Sequence, residues 1–176
     1  CFPKDINALI YSAENIAYTP KLLKAVEEIN NNQKLILSKK IARHFKGNLK
    51  NKIFAVWGLS FKPNTDDTRF AASIPLVNYL LSKGAIIKAY DPVATLVGQI
   101  IDPKKRYSEV KSAKSAITKA DALVICTEWK EFWSISTSVF NEKMAKQVIF
   151  DGRNIYDPSV MESAKIKYYA IGRGSF

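Results

Sequence analysis

Residues 52–72 read "KIFAVWGLSFKPNTDDTRFAA", and the fold turns on how this stretch is parsed. Its first part, "IFAVWGL" (53–59), is an unbroken apolar run of strand length, rich in aromatic and β-branched residues. The polar loop "GLSFKPNTDDTR" (58–69) follows, and then "IPLVNYLLSKG" (74–84), which has helical spacing and Gly84 as its stop. A second strand, "AIIKAYDP" (85–92), comes next. Strand, helix, strand in this order requires a crossover and therefore parallel pairing.

The alternation continues outward. A basic loop leads to a helix in "VKSAKSAITKA" (110–120), a strand in "ALVICT" (122–127), a helical stretch around "SVFNEKMA" (138–145) and strands in "QVIFDGR" (147–153) and "KYYAIGR" (167–173). The expectation is an α/β, Rossmann-like doubly wound parallel sheet over residues 49–176. Ligands in such sheets collect at the carboxyl ends of the strands, where "GLSFKPNTDDTR", "YDP", "TEW" and "DGR" fall.

Before the sheet, a short helix over residues 5–18 closes at Pro20. A longer one follows in "KLLKAVEEINNNQKLILSKKIARHF" (21–45), in which Leu22, Val26, Ile29, Gln33, Ile36, Leu37 and Ile41 recur on one face for about seven turns. Residues 1–48 are thus expected to form a helical region of their own.

Composition excludes several classes. No apolar run reaches the ~20 residues of a membrane span and no leader pattern opens the chain, so a cytoplasmic protein is expected. Cys1, Cys126 and His44 are the only cysteines and histidine, too few and too scattered for a metal site or a disulfide framework. The net charge is +11, and nine basic residues between Lys21 and Lys52 face only Glu27 and Glu28. They are spread around a helical pattern without aromatic interleaving, which favours a solvated face or a small phosphorylated ligand over nucleic acid.

Ordinary structural readings suit several polar residues. Asp91-Pro92 reads as a turn, Trp129 as a core cap, Cys126 as an inert apolar residue and His44 as a solvated helix cap. Thr65, Asp66 or Asp67 could cap the next helix, which leaves Lys62 and Arg69 unexplained.

"CFPKD" (1–5), a long helix, "GLSFKPNTDDTR", "AYDP", "ADALVICTEWKEF" (120–132), "FDGRN" (150–154) and "YYAIGR" (168–173) together resemble the UDP-glucose/GDP-mannose dehydrogenase family, in its C-terminal part. The resemblance covers essentially the whole chain. It implies an NAD-dependent oxidation of the C6 alcohol of UDP-glucose to UDP-glucuronate in two hydride transfers. A thiolate makes the second transfer possible by adding to the aldehyde as a thiohemiacetal, which becomes a thioester that water hydrolyses. By resemblance Cys1 is the nucleophile, Asp5 the carboxylate that activates water, Lys4 and Arg69 cofactor contacts, and Phe61, Lys62 and Arg153 substrate contacts. No metal is implied.

The resemblance also implies a homodimer through the long helix and a dinucleotide-binding domain upstream, because no G-x-G-x-x-G follows a strand here. A start at Cys1, without Met, fits a stretch internal to a longer parent. One departure is "TRFAAS" (68–73), where Phe70 and Ala72 replace the family's usual acidic residue and proline. Alternatives are a dehydrogenase of a UDP-N-acetyl-hexosamine or GDP-mannose, and a non-catalytic nucleotide-sugar-binding module.

Overall fold

The computed structural model describes residues 2–173, and within them the backbone but not the side chain of Phe2. Cys1, the expected nucleophile, lies outside the described residues. The chain divides into two compact units, residues 1–36 and 37–176.

The first unit contains α1 (Phe2–Asn15) and α2 (Lys21–Lys34). α1 buries Ile6 and Ile10, α2 buries none of its residues, and a Lys24–Glu14 ion pair at 2.5 Å links the two helices. The expected seven-turn helix is interrupted. It stops at Lys34, turns at Leu35 and resumes as α3 (Ile36–His44). Asn30, Asn31 and Asn32 explain the break, since their side chains compete for backbone hydrogen bonds and weaken the last turn.

The second unit is a six-stranded sheet built from β1 (Ile53–Trp57), β2 (Ile86–Tyr90), β3 (Tyr107–Glu109), β4 (Ala122–Ile125), β5 (Val148–Asp151) and β6 (Lys167–Ala170). Its order is β3-β2-β1-β4-β5-β6, and every pairing is parallel. The doubly wound expectation holds, with β3 as a strand that the basic-loop reading passed over. The order in which the chain adds strands reverses between β1 and β4, the place where such folds open a crevice.

Alternation along β1 builds two cores. Phe54 and Val56 face α3 (Leu37, Ile41) and α4 (Ser73–Ser82; Leu76, Val77, Leu80). Ala55 and Trp57 face the other layer: α5 (Ala113–Ile117), α6 (Lys130–Trp133), α7 (Thr137–Lys143) and α8 (Pro158–Ser163). Trp57 is fully buried, stacks on Phe132 with centroids 4.9 Å apart and donates its indole N–H to the Ala113 carbonyl at 3.0 Å. The polar end of an otherwise apolar payload is thereby satisfied.

Candidate functional site

Four strands end within hydrogen-bonding reach of one another, and glycine makes this possible. Gly58, after β1, has φ +84°, and a Cβ there would stand 2.5 Å from both the backbone N and the Cβ of Thr127 after β4. Gly152, after β5, would place a Cβ 2.8 Å from the Ile125 carbonyl. Only an absent side chain lets these segments approach so closely.

Asp91, at the end of β2, organises the rim. Its Oδ2 accepts from Leu59 N (2.7 Å), Ser60 N (3.1 Å), Ser60 Oγ (3.1 Å) and Trp129 Nε1 (3.0 Å). Its Oδ1 accepts from Val93 N (3.0 Å) and Ala94 N (2.8 Å). Burial works to raise its pKa, but the N–H groups of Ala94, Val93, Leu59 and Ser60 prevail and hold it below the usual carboxylate value. Asp91 is therefore an ionised hub joining the ends of β1, β2 and β4 rather than a simple turn. Thr127 Oγ1 adds a bond to the Ser60 carbonyl at 2.6 Å, and Ser73 Oγ one to the Leu59 carbonyl at 2.8 Å.

Asp151 plays the same part for β5. It is fully buried, accepts from Arg153 N (2.8 Å) and Ile155 N (2.8 Å), and takes the Tyr168 hydroxyl at 2.6 Å. Burial, and then the Asp151 carboxylate, push the Tyr168 phenol pKa up.

Arg153 leaves this turn toward β4. Its Nε donates to the Cys126 carbonyl at 2.7 Å and stands 3.1 Å from Glu128 Oε2, while Nη2 reaches the Phe61 carbonyl at 3.4 Å. Glu128 Oε2 is buried, and its contact with Arg153 lacks hydrogen-bond geometry, so that oxygen still has acceptor capacity. Phe61 is 38% exposed beside this pair, and Lys62 is exposed next to it.

The remaining expected residues are placed as follows. Arg69 is exposed and gives Nε (3.0 Å) and Nη2 (2.8 Å) to Asp67, whose pKa is pulled down to about 2 chiefly by that side-chain bond. The Asp67 carbonyl in turn accepts from Phe61 N at 2.8 Å. Neither Asp66 nor Asp67 caps α4, whose N-cap is Ala72 with no side-chain bond. Lys4 and Asp5 lie on α1 in the first unit, 4.0 Å apart and both exposed. Thus Phe61 and Arg153 meet at one rim, Lys62 follows Phe61 in the chain, and Arg69 is tied to the same loop through Asp67.

Cys126 is buried, and burial foremost pushes its thiol pKa up to about 12, which suits an inert core residue. His44 departs from its reading as a solvated cap. Its Nδ1 lies 2.7 Å from the Tyr169 hydroxyl and its ring meets Phe45, Phe150 and Tyr169 edge-on. Among the described residues no group of three or more His, Cys, Asp or Glu could hold a metal, and no helix is long and apolar enough to cross a membrane.

Residues 55–158 match the family described as "UDP-glucose/GDP-mannose dehydrogenase family, UDP binding domain", a span that includes Phe61, Lys62, Arg69 and Arg153. The UDP-glucose 6-dehydrogenase of Pseudomonas aeruginosa is 40% identical over 98% of this chain and 39% of its own length. UDP-glucose 6-dehydrogenase YwqF of Bacillus subtilis is 38% identical over the same shares. Among solved structures, a UDP-D-ManNAc dehydrogenase from Pyrococcus horikoshii superposes with a TM-score of 0.82 at 25% identity, covering 100% of this chain and 38% of that one. The chain spans about two-fifths of the length of the relatives it matches.

Proposed function

Because the chain belongs to the UDP-glucose/GDP-mannose dehydrogenase family and corresponds to the C-terminal part of its relatives, we propose that it is the UDP-sugar-binding portion of an NAD-dependent UDP-glucose 6-dehydrogenase. The observation that carries this reading is the rim formed by Phe61, Glu128 and Arg153 where the strand order reverses between β1 and β4, with the exposed Lys62 next to Phe61 in the chain. Arg153, steadied by the Cys126 carbonyl, offers a planar cation to a diphosphate or sugar oxygen. Lys62 adds a second cation from the loop. The buried Glu128 Oε2 supplies an acceptor that a sugar hydroxyl or a nucleobase N–H would satisfy. Phe61 offers an exposed ring face for stacking.

Arg69 and Lys4 are exposed cations whose chemistry fits contact with cofactor phosphate, Arg69 keeping Asp67 as its resting partner. Bound NAD+ would supply the hydride acceptor. Cys1 would add to the aldehyde and Asp5 would take a proton from the hydrolytic water. The choice of UDP-glucose over a UDP-N-acetyl-hexosamine or GDP-mannose is supported by the 40% and 38% identical relatives that carry that name. Two copies would pair through the exposed apolar residues Leu22 and Ile29 of α2.

The test is calorimetric titration of the chain with UDP-glucose, UDP-N-acetylmannosamine and GDP-mannose in parallel. Saturable binding strongest for UDP-glucose is expected. Failure of every uridine nucleotide to bind would overturn the reading, and a preference for another sugar would reassign the substrate within the family.

A further inference from the structure

All six strands are parallel, so every strand begins at one edge of the sheet, the edge opposite the rim around Arg153. The segments that lead into the strands, residues 45–52, 83–85, 102–106, 119–121, 142–147 and 162–167, hold twelve Lys and Arg against four Asp and Glu. The segments that leave them, residues 58–69, 91–97, 110–112, 126–131, 151–157 and 171–173, hold six against seven. Most of the net charge of +11 is therefore gathered at the entry edge. The entry segments form one continuous surface. A Cβ on Gly84 would stand 3.4 Å from Lys50 Cα and 3.5 Å from Arg106 Nη1. Asp121 N donates to the Ile53 carbonyl at 2.7 Å, Lys119 N to the Lys143 carbonyl at 2.8 Å and Lys167 N to the Gln147 carbonyl at 2.8 Å. Five strand spacings of about 4.8 Å give this row a width of about 24 Å.

Ordinary structural roles account for part of this charge. Each of α3, α4, α5, α7 and α8 has a lysine in or just past its last turn, where a cation offsets the helix dipole. Three of the four carboxylates already face a cation, Asp102 with Arg106, Glu142 with Lys143 and Asp121 with Lys146. Lys50, Lys104, Lys105 and Lys167 serve no helix end, are exposed and, among the described residues, stand in no ion pair. Lys46, Lys105, Lys119 and Lys165 have positive φ, where glycine or asparagine fits more easily, so backbone geometry does not call for lysine there either.

We propose that this face docks the chain peripherally on an anionic phospholipid bilayer, with Ile101 entering the headgroup layer and the rim around Arg153 turned to the solution. Charge alone would serve any polyanion, and three observations favour lipid over nucleic acid. Eleven of the twelve cations are lysine, compact point charges that respond to charge density and lack the planar fork that reads phosphates and base edges. The ring faces of Phe45 and Tyr79 lie under the ammonium groups of Lys52 at 5.4 Å and Lys83 at 5.9 Å, and so are not open to stacking bases. Ile101, one residue before the entry segment of β3, is 90% exposed, and Lys104 and Lys105 follow it within four residues. An aliphatic side chain beside paired lysines gains by entering a headgroup layer and gains nothing from a phosphate backbone.

The chain would be floated with vesicles of phosphatidylcholine alone and of phosphatidylcholine and phosphatidylserine in equal parts, at low and at high salt, and titrated in parallel against duplex DNA by fluorescence anisotropy. Binding to the mixed vesicles, none to phosphatidylcholine alone, and release by salt are expected. The double variants Lys104→Gln/Lys105→Gln and Lys165→Gln/Lys167→Gln, at the two ends of the row, alter exposed side chains and should leave thermal unfolding unchanged. Each should weaken vesicle binding about 25-fold, or about fivefold for every lysine at an anionic surface. Arg153→Ala removes one charge from the opposite end and should leave vesicle binding unchanged. Ile101→Ser should weaken binding to the vesicles and leave binding to DNA as it was. Three results would overturn the proposal: equal binding to both kinds of vesicle, wild-type affinity in both double variants, or tighter binding to DNA than to the mixed vesicles with Ile101→Ser neutral for both. The last of these would assign the face to nucleic acid.

Discussion

Replacing Asp91 tests whether the rim is held by one carboxylate. In Asp91→Ala six donors lose their acceptor. Val93 N lies on the outer side, where water can replace the lost oxygen. Leu59 N, Ser60 N, Ala94 N and Trp129 Nε1 belong to residues 0%, 2%, 6% and 9% exposed, and these carry the penalty. At about 1–3 kcal/mol for each stranded buried donor, reduced by any water that enters the vacated space, the loss should be about 4–5 kcal/mol. Asp91→Asn keeps one oxygen, which can turn to Leu59, Ser60 and Trp129 while its NH2 faces Val93 N and Ala94 N and strands the buried one, so its loss should be about 1–3 kcal/mol. The sign of the pH dependence follows from the lowered pKa. A carboxyl depressed in the folded state stabilises above its unfolded value, near 3.8, and loses that contribution as pH falls through the lower folded value. The gap between wild type and Asp91→Asn should thus be constant from pH 5 to 8 and shrink in acid below that range. Urea unfolding at a series of pH values measures all three proteins. An Asp91→Ala variant within about 0.5 kcal/mol of wild type at pH 7, the range of a neutral surface change, would refute the hub.

Three further outcomes are expected. Gly58→Ala forces a side chain to φ +84° and a Cβ to 2.5 Å from Thr127 N. It should therefore cost about 3 kcal/mol or more in urea unfolding, and Thr127→Gly should restore only part because the backbone contact remains. An undisturbed Gly58→Ala melt would show that the strand ends can separate freely. Arg153→Ala and Lys62→Ala should each weaken UDP-glucose binding by about 1–3 kcal/mol, and unchanged calorimetric isotherms would make both residues structural. Cys126, with its pKa near 12 and its side chain buried, should resist iodoacetamide in the folded chain at pH 8 and react on unfolding. Peptide mapping that finds rapid native labelling at Cys126 would contradict the burial.

The parallel sheet was legible because its signals are local: β1, β2, β4, β5 and β6 are apolar runs bounded by Gly, Asp or Pro. β3 escaped because Tyr107–Glu109 is only three residues long and sits in a basic loop, its pairing with β2 decided by tertiary context. The break at Leu35 was foreshadowed by three consecutive asparagines that heptad-like spacing concealed. At the site, Phe61, Lys62 and Arg153 came from the family resemblance, while the strand pattern placed only their loops, after β1 and β5. Asp91, Glu128 and Trp129 were not legible, because what distinguishes them is convergence: Asp91 and Trp129 are 38 residues apart yet share a hydrogen bond. A turn aspartate and a hub aspartate look alike until the strands they join are known. His44 misled for a similar reason, since its aromatic neighbours Phe150 and Tyr169 come from the far end of the chain.

The strand order also sets the tempo at which this unit assembles. β1 and β4 sit side by side at the centre, yet Ile53 and Asp121 at their starts are 68 residues apart, and no short hairpin anywhere in the sheet can nucleate it. Each parallel pairing must first close a long loop, so the chain loses conformational entropy well before the central contact returns it. Joining the β3-β2-β1 half to the β4-β5-β6 half is then the slow step of refolding. Truncations on the β1/β4 seam, such as Val56→Ala or Val124→Ala, should show themselves on the folding limb of a chevron plot, while equal truncations at the β6 edge accelerate only unfolding.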